Sequence, residues 1–442
     1  MPSAPSFSEP WSRSQIERHQ ECRLAELFSQ VVPANPFWCR KYAAAGVDLD
    51  SITSLAHLAR LPLTTKAEIV ADQRAHSPYG TNLTFPRTAY VRLHQTSGTT
   101  GEPMRWLDTA ASWGWVLDCW RQLFDWMGLK PEDRLIFPFS FGPFLGFWAG
   151  FEGACRQGNL CIAAGGMSSE ARLKAIWDNN VTIVCCTPTY ALRLVEVGVE
   201  TGMALRDSPV RALLVAGEPG GNVPATRRQI EEGWGARVFD HWGMTELGPL
   251  AIEVESQPGS LTVLETECVA EILDPQTGEP VPAGVEGELV VTNLGRTGSP
   301  LIRYRTGDRV RRSGDCGRDA FLRLDGGILG RTDEMLTIRG NNIYPAALED
   351  LIRSIEEIAE FRVRVEHSRG MQQLQIELEP RSGLPAESAA GLPTRIGAAI
   401  RLRFHLQPEV RMVGLGELPR FEMKSRRFQR EIATETGGRP ST

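Results

Sequence analysis

Four short segments of the chain carry residue types that could do chemistry on a phosphorylated small molecule. The first is Gln95-Thr96-Ser97-Gly98-Thr99-Thr100-Gly101-Glu102-Pro103. Its small and hydroxylated residues cannot pack a core, but their backbone N–H groups and hydroxyls can wrap a polyphosphate. It is not a Walker A loop, which needs GxxxxGK[ST] and its lysine. The second is Asp240-His241-Trp242-Gly243-Met244-Thr245-Glu246. An aromatic ring beside a glycine suits stacking on a flat base, and a Thr-Glu pair suits holding magnesium near phosphates. The third joins Tyr304-Arg305-Thr306-Gly307-Asp308 to Gly330-Arg331-Thr332-Asp333, where Asp308 could accept both hydroxyls of a ribose. The fourth is Lys424, in Pro419-Arg420-Phe421-Glu422-Met423-Lys424. Each has an ordinary alternative in isolation: a solvated turn, a core Trp, a charged turn and a solvated lysine.

Segments so far apart need a framework to bring them together. Strand patterns at 134–137, 159–163, 181–186 and 212–216 alternate with helical patterns at 169–178 and from Pro224. Strand, helix, strand at this spacing predicts parallel pairing with crossover helices. Residues 12–60 read as helices with a polar face, interrupted around Pro33–Pro36. From 260 to 312 the pattern turns β-rich, with strands at 269–273 and 287–292 and turns at 275–278 and 283–284. After Arg331 the reading is a helix at 346–358, strands at 361–365 and 374–378 around a turn at 368–370, a helix at 393–404 and a strand at 410–415. The expected architecture is α/β. A large N-terminal domain over 1–332 has parallel-rich sheets with helices and a β subdomain at about 260–330, and a small α+β domain covers 333–442.

The bulk composition sets limits on partners. A chain of 442 residues is long enough for more than one core, and 42% hydrophobic with 23% charged residues is ordinary for a globular enzyme. A formal charge of −6 argues against nucleic acid as a partner. No uninterrupted apolar run approaches ~18 residues, so no membrane span is expected, and the amino terminus has no secretory pattern. The nine cysteines include no CxxC pair, which favours free thiols in a reducing cytoplasm over structural zinc.

Taken together, in this order and spacing, the segments resemble the adenylate-forming superfamily of acyl-CoA ligases, carrier-protein adenylation domains and luciferases. Within it the chain is most similar to the phenylacetate–CoA ligase branch. Its short length, Arg339-Gly340-Asn341-Asn342-Ile343-Tyr344-Pro345 and the Pro-Arg-x-Glu-x-Lys ending carry that narrower likeness. The resemblance runs from Pro62-Leu63-Thr64-Thr65-Lys66 to Lys424. It implies a ligase that uses ATP and Mg²⁺ to activate a small, aromatic carboxylic acid as acyl-AMP and passes the acyl group to coenzyme A.

By the same resemblance, Thr96, Ser97, Gly98, Thr99, Thr100 and Gly101 would hold the β- and γ-phosphates of ATP. Gly217, Glu218 and Pro219 would border the adenine. His241, Trp242, Gly243 and Met244 would line the nucleotide, with Trp242 in place of the family's usual Tyr. Asp308 would hold the ribose, and Arg331 would lie near ribose and phosphate. Glu246, beside Thr245, would hold Mg²⁺. Lys424 would reach the carboxylate and α-phosphate, then leave as the C-terminal domain rotates about Asp333 and brings Gly340 to the pantetheine arm. The acid pocket would draw on Phe141, Phe144, Trp148, Glu152, Ala216, Gly243 and Pro249, suiting a flat aryl or arylacetic acid.

Three positions depart from the family pattern. Glu102 stands where a phosphate-loop Lys is usual. Glu152 falls near a common pocket Tyr, which would make room for an amino- or hydroxy-substituted acid. Only Cys316 matches a Cys/His metal site found in some relatives, so no zinc is expected. Two competing functions stay open: a stand-alone adenylation enzyme that loads a carrier-protein phosphopantetheine, and a catalytically inactive nucleotide-binding module. Intact Glu246, Asp308 and Lys424 argue against the second. An acyl carrier protein partner and a homodimer are also left open.

Overall fold

The computed structural model describes residues 11–52, 54–96, 103–314, 320–338, 341–368, 371–422 and 424–430. Its largest sheet has eight strands, in the order Arg323–Asp325, Ser260–Val263, Gly248–Ile252, Arg237–Met244, Ala212–Val215, Ile183–Cys186, Arg134–Phe137, Leu160–Ala163. The last five pair in parallel. Their crossovers are the helices Gly146–Gln157, Ser169–Asp178, Pro188–Thr201 and Pro224–Trp234. The Ile183–Cys186 strand is buried along its whole length, as a strand covered on both faces must be.

Local chemistry fixes the helix starts. Thr187 caps the Pro188–Thr201 helix by accepting the Tyr190 N–H, and Pro188 takes the first helical position, where no N–H is needed. Chain order and sheet order part company at Arg134–Phe137: the chain runs out to Leu160–Ala163 on one side, then returns to Ile183–Cys186 on the other. Such switch points open a crevice at the carboxyl ends of the strands. The segments leaving those ends are Phe139–Phe141, Thr187, Gly217-Glu218 and Thr245-Glu246.

A second, antiparallel sheet joins Cys268–Leu273, Glu286–Asn293, Tyr304–Arg311 and Gly330–Arg331. It is the expected β subdomain with one correction. Ser260–Val263 and Arg323–Asp325 leave that region of the chain to extend the large sheet.

The small C-terminal domain has its own core, including Leu348, Phe361, Val363, Ile376 and Ile396. Its sheet runs Glu409–Met412, Met371–Pro380, Ile358–Ser368, Phe428–Arg430. Boundaries here differ from the sequence reading: the strands expected at 361–365 and 374–378 are longer, at Ile358–Ser368 and Met371–Pro380. The helix expected at 346–358 is Pro345–Arg353, because Ile358 already pairs with Pro380 in the sheet. The helix expected to start at Pro393 runs Ala386–Phe404 and passes through that proline, forgoing one backbone bond. The strand expected at 410–415 is Glu409–Met412. Among the described residues no helix is long and apolar enough to cross a membrane.

Candidate active site

The ribose-side geometry comes from strand register. Tyr304–Arg311 pairs with Gly330–Arg331 so that Asp308 faces Arg331 directly. Arg331 Nη1 donates to Asp308 Oδ1 at 2.8 Å, and Trp242 Nε1 donates to Asp308 Oδ2 at 2.9 Å. Both carboxylate oxygens are therefore oriented from two separate sheets. Burial pushes the Asp308 carboxyl up to about 6, with Arg331 and the indole N–H pulling against it. Arg331 also donates to Asp333 at 2.9 and 3.2 Å, linking the ribose side to the expected hinge.

Trp242 reaches this position because the Arg237–Met244 strand slips register against Gly248–Ile252 between Trp242 and Gly243. A Cβ at Gly243 would meet the Gly248 carbonyl at 2.7 Å and Pro249 Cα at 3.0 Å, so only glycine fits. Met244 then pairs with Gly248 to complete the strand end. His241 takes the opposite face from Trp242, as strand alternation requires. Its Nδ1–H donates to the Ala251 carbonyl at 2.8 Å, and its ring lies 4.6 Å from Trp120. Burial pushes the imidazole down to about 4, so it is neutral. His241 thus belongs with the aromatic cluster, away from the Trp242–Asp308 contact.

Thr245 and Glu246 follow the strand. Arg296, fully buried, donates to their carbonyl oxygens at 2.6 and 3.0 Å. It also pairs with Asp108 at 2.7 and 2.6 Å. Burial opposes ionisation of Asp108, but the Arg296 guanidinium outweighs it and holds the carboxyl down at about 2. Asp108 lies on the Arg105–Thr109 strand that leaves the expected phosphate loop. At the mouth of that loop, Thr96 N–H donates to the Met104 carbonyl and Met104 N–H to Thr96 Oγ1, each at 3.0 Å. Ser97, Gly98, Thr99, Thr100, Gly101 and Glu102 lie outside the described residues, as do Cys316 and Gly340.

The Glu246 side chain is buried, and burial raises its carboxyl. Lys66, Arg331 and Arg296 favour its charged form from a distance, and the Tyr304 hydroxyl lies against it. The ion pairs among the described residues do not include it. A buried carboxylate with spare oxygen capacity and no paired cation fits a hard divalent ion such as Mg²⁺.

Lys424 reaches the carboxyl end of the neighbouring Ala212–Val215 strand. A Cβ built on Gly217 would lie 3.3 Å from Lys424 Cε, so the side chain crosses the end of the Ala212–Val215 strand. Gly217 itself has φ near +95°, a left-handed conformation suited to glycine. Glu218, next in sequence, accepts the Thr189 and Ser425 N–H groups, and Pro219 is exposed beside it. The Glu218 side chain is therefore committed to the domain seam.

The expected acid pocket is aromatic. Phe141 stacks on Phe139 at 4.6 Å and meets Trp148 and Phe151 edge-on at 5.1 and 5.4 Å. Ala216 packs against the same core, and Phe144 is exposed at the rim. Glu152 is not a free acceptor. Arg92 reaches it at 2.8 and 3.0 Å, and Trp113 Nε1 donates to it at 2.7 Å. Sequence reasoning missed Arg92, Trp113, Asp108 and Arg296. Arg92 and Asp108 show only as charges within strand patterns, Trp113 is one of several indoles in its stretch, and Arg296 lies in a Gly-rich, turn-like run, so none carries a local mark of its partner.

Comparison with known proteins is consistent across sequence and structure. A profile of the AMP-binding enzyme family matches residues 60–296, and one of the AMP-binding enzyme C-terminal domain matches 340–431. A phenylacetate-coenzyme A ligase of Thermus thermophilus is 32% identical over 378 residues, covering 84% of this chain and 83% of that protein. A phenylacetate-coenzyme A ligase of Escherichia coli is 29% identical, with 94% and 95% covered. The crystal structure of 2-hydroxyisobutyryl-CoA ligase in the postadenylation state superposes with a TM-score of 0.91 at 26% identity, covering 98% of this chain and 94% of that one. The same ligase in its thioesterification state gives 0.72, at 27% identity and 97% and 94% coverage. The two domains here are thus arranged as in the former state.

Proposed function

The chain belongs to the AMP-binding enzyme family and is an acyl-CoA ligase that uses ATP by way of an acyl-adenylate; we propose that its acid is small and aromatic and that one crevice serves both half-reactions. The observation that carries this reading is the approach of Lys424 to Gly217 at the carboxyl end of the Ala212–Val215 strand, whose parallel neighbour Arg237–Met244 carries Trp242, the donor to Asp308, and leads into Glu246.

In the first half-reaction a carboxylate oxygen attacks the α-phosphorus of ATP. The bond from that phosphorus to the bridging oxygen breaks, and pyrophosphate leaves. Two anions must approach, and the Lys424 ammonium offsets their repulsion. Mg²⁺ held at Glu246 would supply further positive charge against the phosphates. Asp308 and Arg331 orient the ribose, Trp242 both aims Asp308 and offers its ring to the base, and residues 96–101 wrap the outer phosphates. In the second half-reaction the thiol of CoA attacks the acyl carbon. AMP leaves with the bonding pair, and the thiol proton passes to solvent. Rotation about Asp333 would withdraw Lys424 and bring Gly340 to the thiol arm.

The aromatic preference rests on the Phe139–Phe141 stack and Trp148 beside the crevice. With Glu152 held by Arg92 and Trp113, the wall it forms is neutralised, which favours a plain ring over an amino-substituted one. We set the reaction in the cytoplasm, where ATP and CoA are supplied.

A pyrophosphate-release screen over benzoic, arylacetic, aminobenzoic, 2-hydroxyisobutyric and fatty acids, with and without CoA, tests the proposal. The expected result is fastest release with an unsubstituted aryl or arylacetic acid and CoA-thioester product. Preference for an aliphatic acid would overturn the aromatic reading. Turnover only with a holo-carrier protein would favour the carrier-loading enzyme, and no pyrophosphate release with any acid in the panel would favour an inactive nucleotide-binding module.

A further inference from the structure

The two domains meet closely at the residue beside Lys424. Glu218 Oε1 accepts the Thr189 N–H at 3.0 Å, and its Oε2 accepts the Ser425 N–H at 2.6 Å. Thr189 lies in the first turn of the Pro188–Thr201 helix, whose N–H groups have no partner within the helix. Ser425 belongs to the C-terminal domain and follows Lys424 directly. One carboxylate therefore ties a fixed helix start to the backbone of the lysine segment. Arg427 adds a second tie two residues on. Its Nη1 donates to Thr189 Oγ1 at 3.0 Å while its other nitrogens bond Glu360 at 2.6 and 2.8 Å.

We propose that Glu218 is a positioning residue for Lys424, clasping the Ser425 backbone to hold the ammonium in the crevice for adenylation and releasing it before the thiol step. The inference rests on the two-step ligase reading above. A hydrogen bond to a charged acceptor is stronger than a neutral one, and here it acts on main chain adjacent to the lysine. Glu422, two residues before Lys424, is a weaker anchor: it meets Ser169 at 3.2 Å but is more than half exposed, and water can replace it, while the buried Arg427 tie acts three residues beyond the lysine. The clasp must still break when the domain turns. Release frees one backbone N–H and half a carboxylate, both of which water can then satisfy.

The test measures each half-reaction separately in the full-length protein. Adenylation is followed in a single turnover from acid and ATP, and thioester formation from pre-made acyl-adenylate and CoA. Glu218→Ala should slow adenylation about tenfold or more, shifting the ratio of the two rates towards the thiol step. Glu218→Gln, which keeps an acceptor for one of the two N–H groups, should fall between. In a Lys424→Ala background, Glu218→Ala should add little further loss to adenylation, because the carboxylate acts through that lysine. Equal slowing of both halves, or losses that multiply in the double variant, would overturn the clasp and point to a direct nucleotide contact or a folding role. Should Glu218→Ala fail to fold, Glu218→Gln in both backgrounds makes the same comparison. A wild-type protein that releases no pyrophosphate sinks the ligase reading, whereas an active wild type without the rate split sinks only the clasp.

Discussion

Around Asp308 and Glu246 the crevice is held by bonds inside the large domain, whereas around Lys424 it is held by bonds that cross between domains. On the first side, Trp242 and Arg331 aim one buried carboxylate, and the fully buried Asp108–Arg296 pair fixes the carbonyls of Thr245 and Glu246. On the second, Lys424 is exposed, and backbone N–H groups, a hydroxyl and partly exposed ion pairs hold its segment. The difference teaches how one site can run two steps. On the proposed reading, the groups that would meet the nucleotide in both steps are preorganised, so no rearrangement is needed as charge develops. On the same reading, Lys424, the cation that only adenylation would need, is held by contacts that cross between the domains.

The sharpest way to break this comparison is to remove Arg296. Arg296→Met leaves Asp108 charged in the interior without its guanidinium, with only His94 Nδ1 3.9 Å away, and should cost about 3–5 kcal/mol of stability, read as a lower urea midpoint. On the seam side, Glu422→Gln should cost less than about 1 kcal/mol. Similar losses at both places would erase the distinction between a rigid half and a releasable half.

A smaller effect tests how Asp308 is tuned. Its carboxyl, pushed up to about 6 by burial, should hold ribose hydroxyls best when ionised, so the KM for ATP should rise as pH falls through about 6. Trp242→Phe removes an N–H that favours the ionised form. The carboxyl pKa then rises further, and the acid limb of the pH profile should move up by about one pH unit. An unmoved limb would mean the indole contributes packing alone. The sign for stability is the reverse of the usual carboxylate. The folded protein keeps a proton that the unfolded chain loses between about 4 and 6, so this group lowers stability as pH rises through that window.

The smallest effect is expected at Glu152. Because Arg92 and Trp113 already hold its carboxylate, Glu152→Gln should change the preference between plain and amino- or hydroxy-substituted aryl acids by no more than about fivefold. A larger change would restore Glu152 as a direct reader of the substituent.

Much of the framework was legible because it rests on local periodicity. The helix at 169–178 and the strand at 134–137 fall where the apolar pattern puts them, since amphipathic spacing and turn residues act over a few positions. What escaped depends on distant partners. Arg296 and Asp108 are 188 residues apart, and nothing near either one marks the pairing. The resemblance puts Glu218 beside the adenine, but nothing near it in sequence marks the donor to its carboxylate, the Ser425 N–H 207 residues away. Short strands such as Arg323–Asp325 carry too little pattern to say which sheet they join. Trp242 was recognised as a ring, but its N–H towards Asp308 follows from a register slip that no sequence rule locates.

The most direct test of the account is a comparison of the two half-reactions in Lys424→Ala. Acyl-adenylate formation should fall by at least about 10²-fold, while thioester formation from pre-made acyl-adenylate and CoA stays near the wild-type rate. A variant equally impaired in both steps would contradict the division of the crevice into a permanent nucleotide half and a lysine that comes and goes.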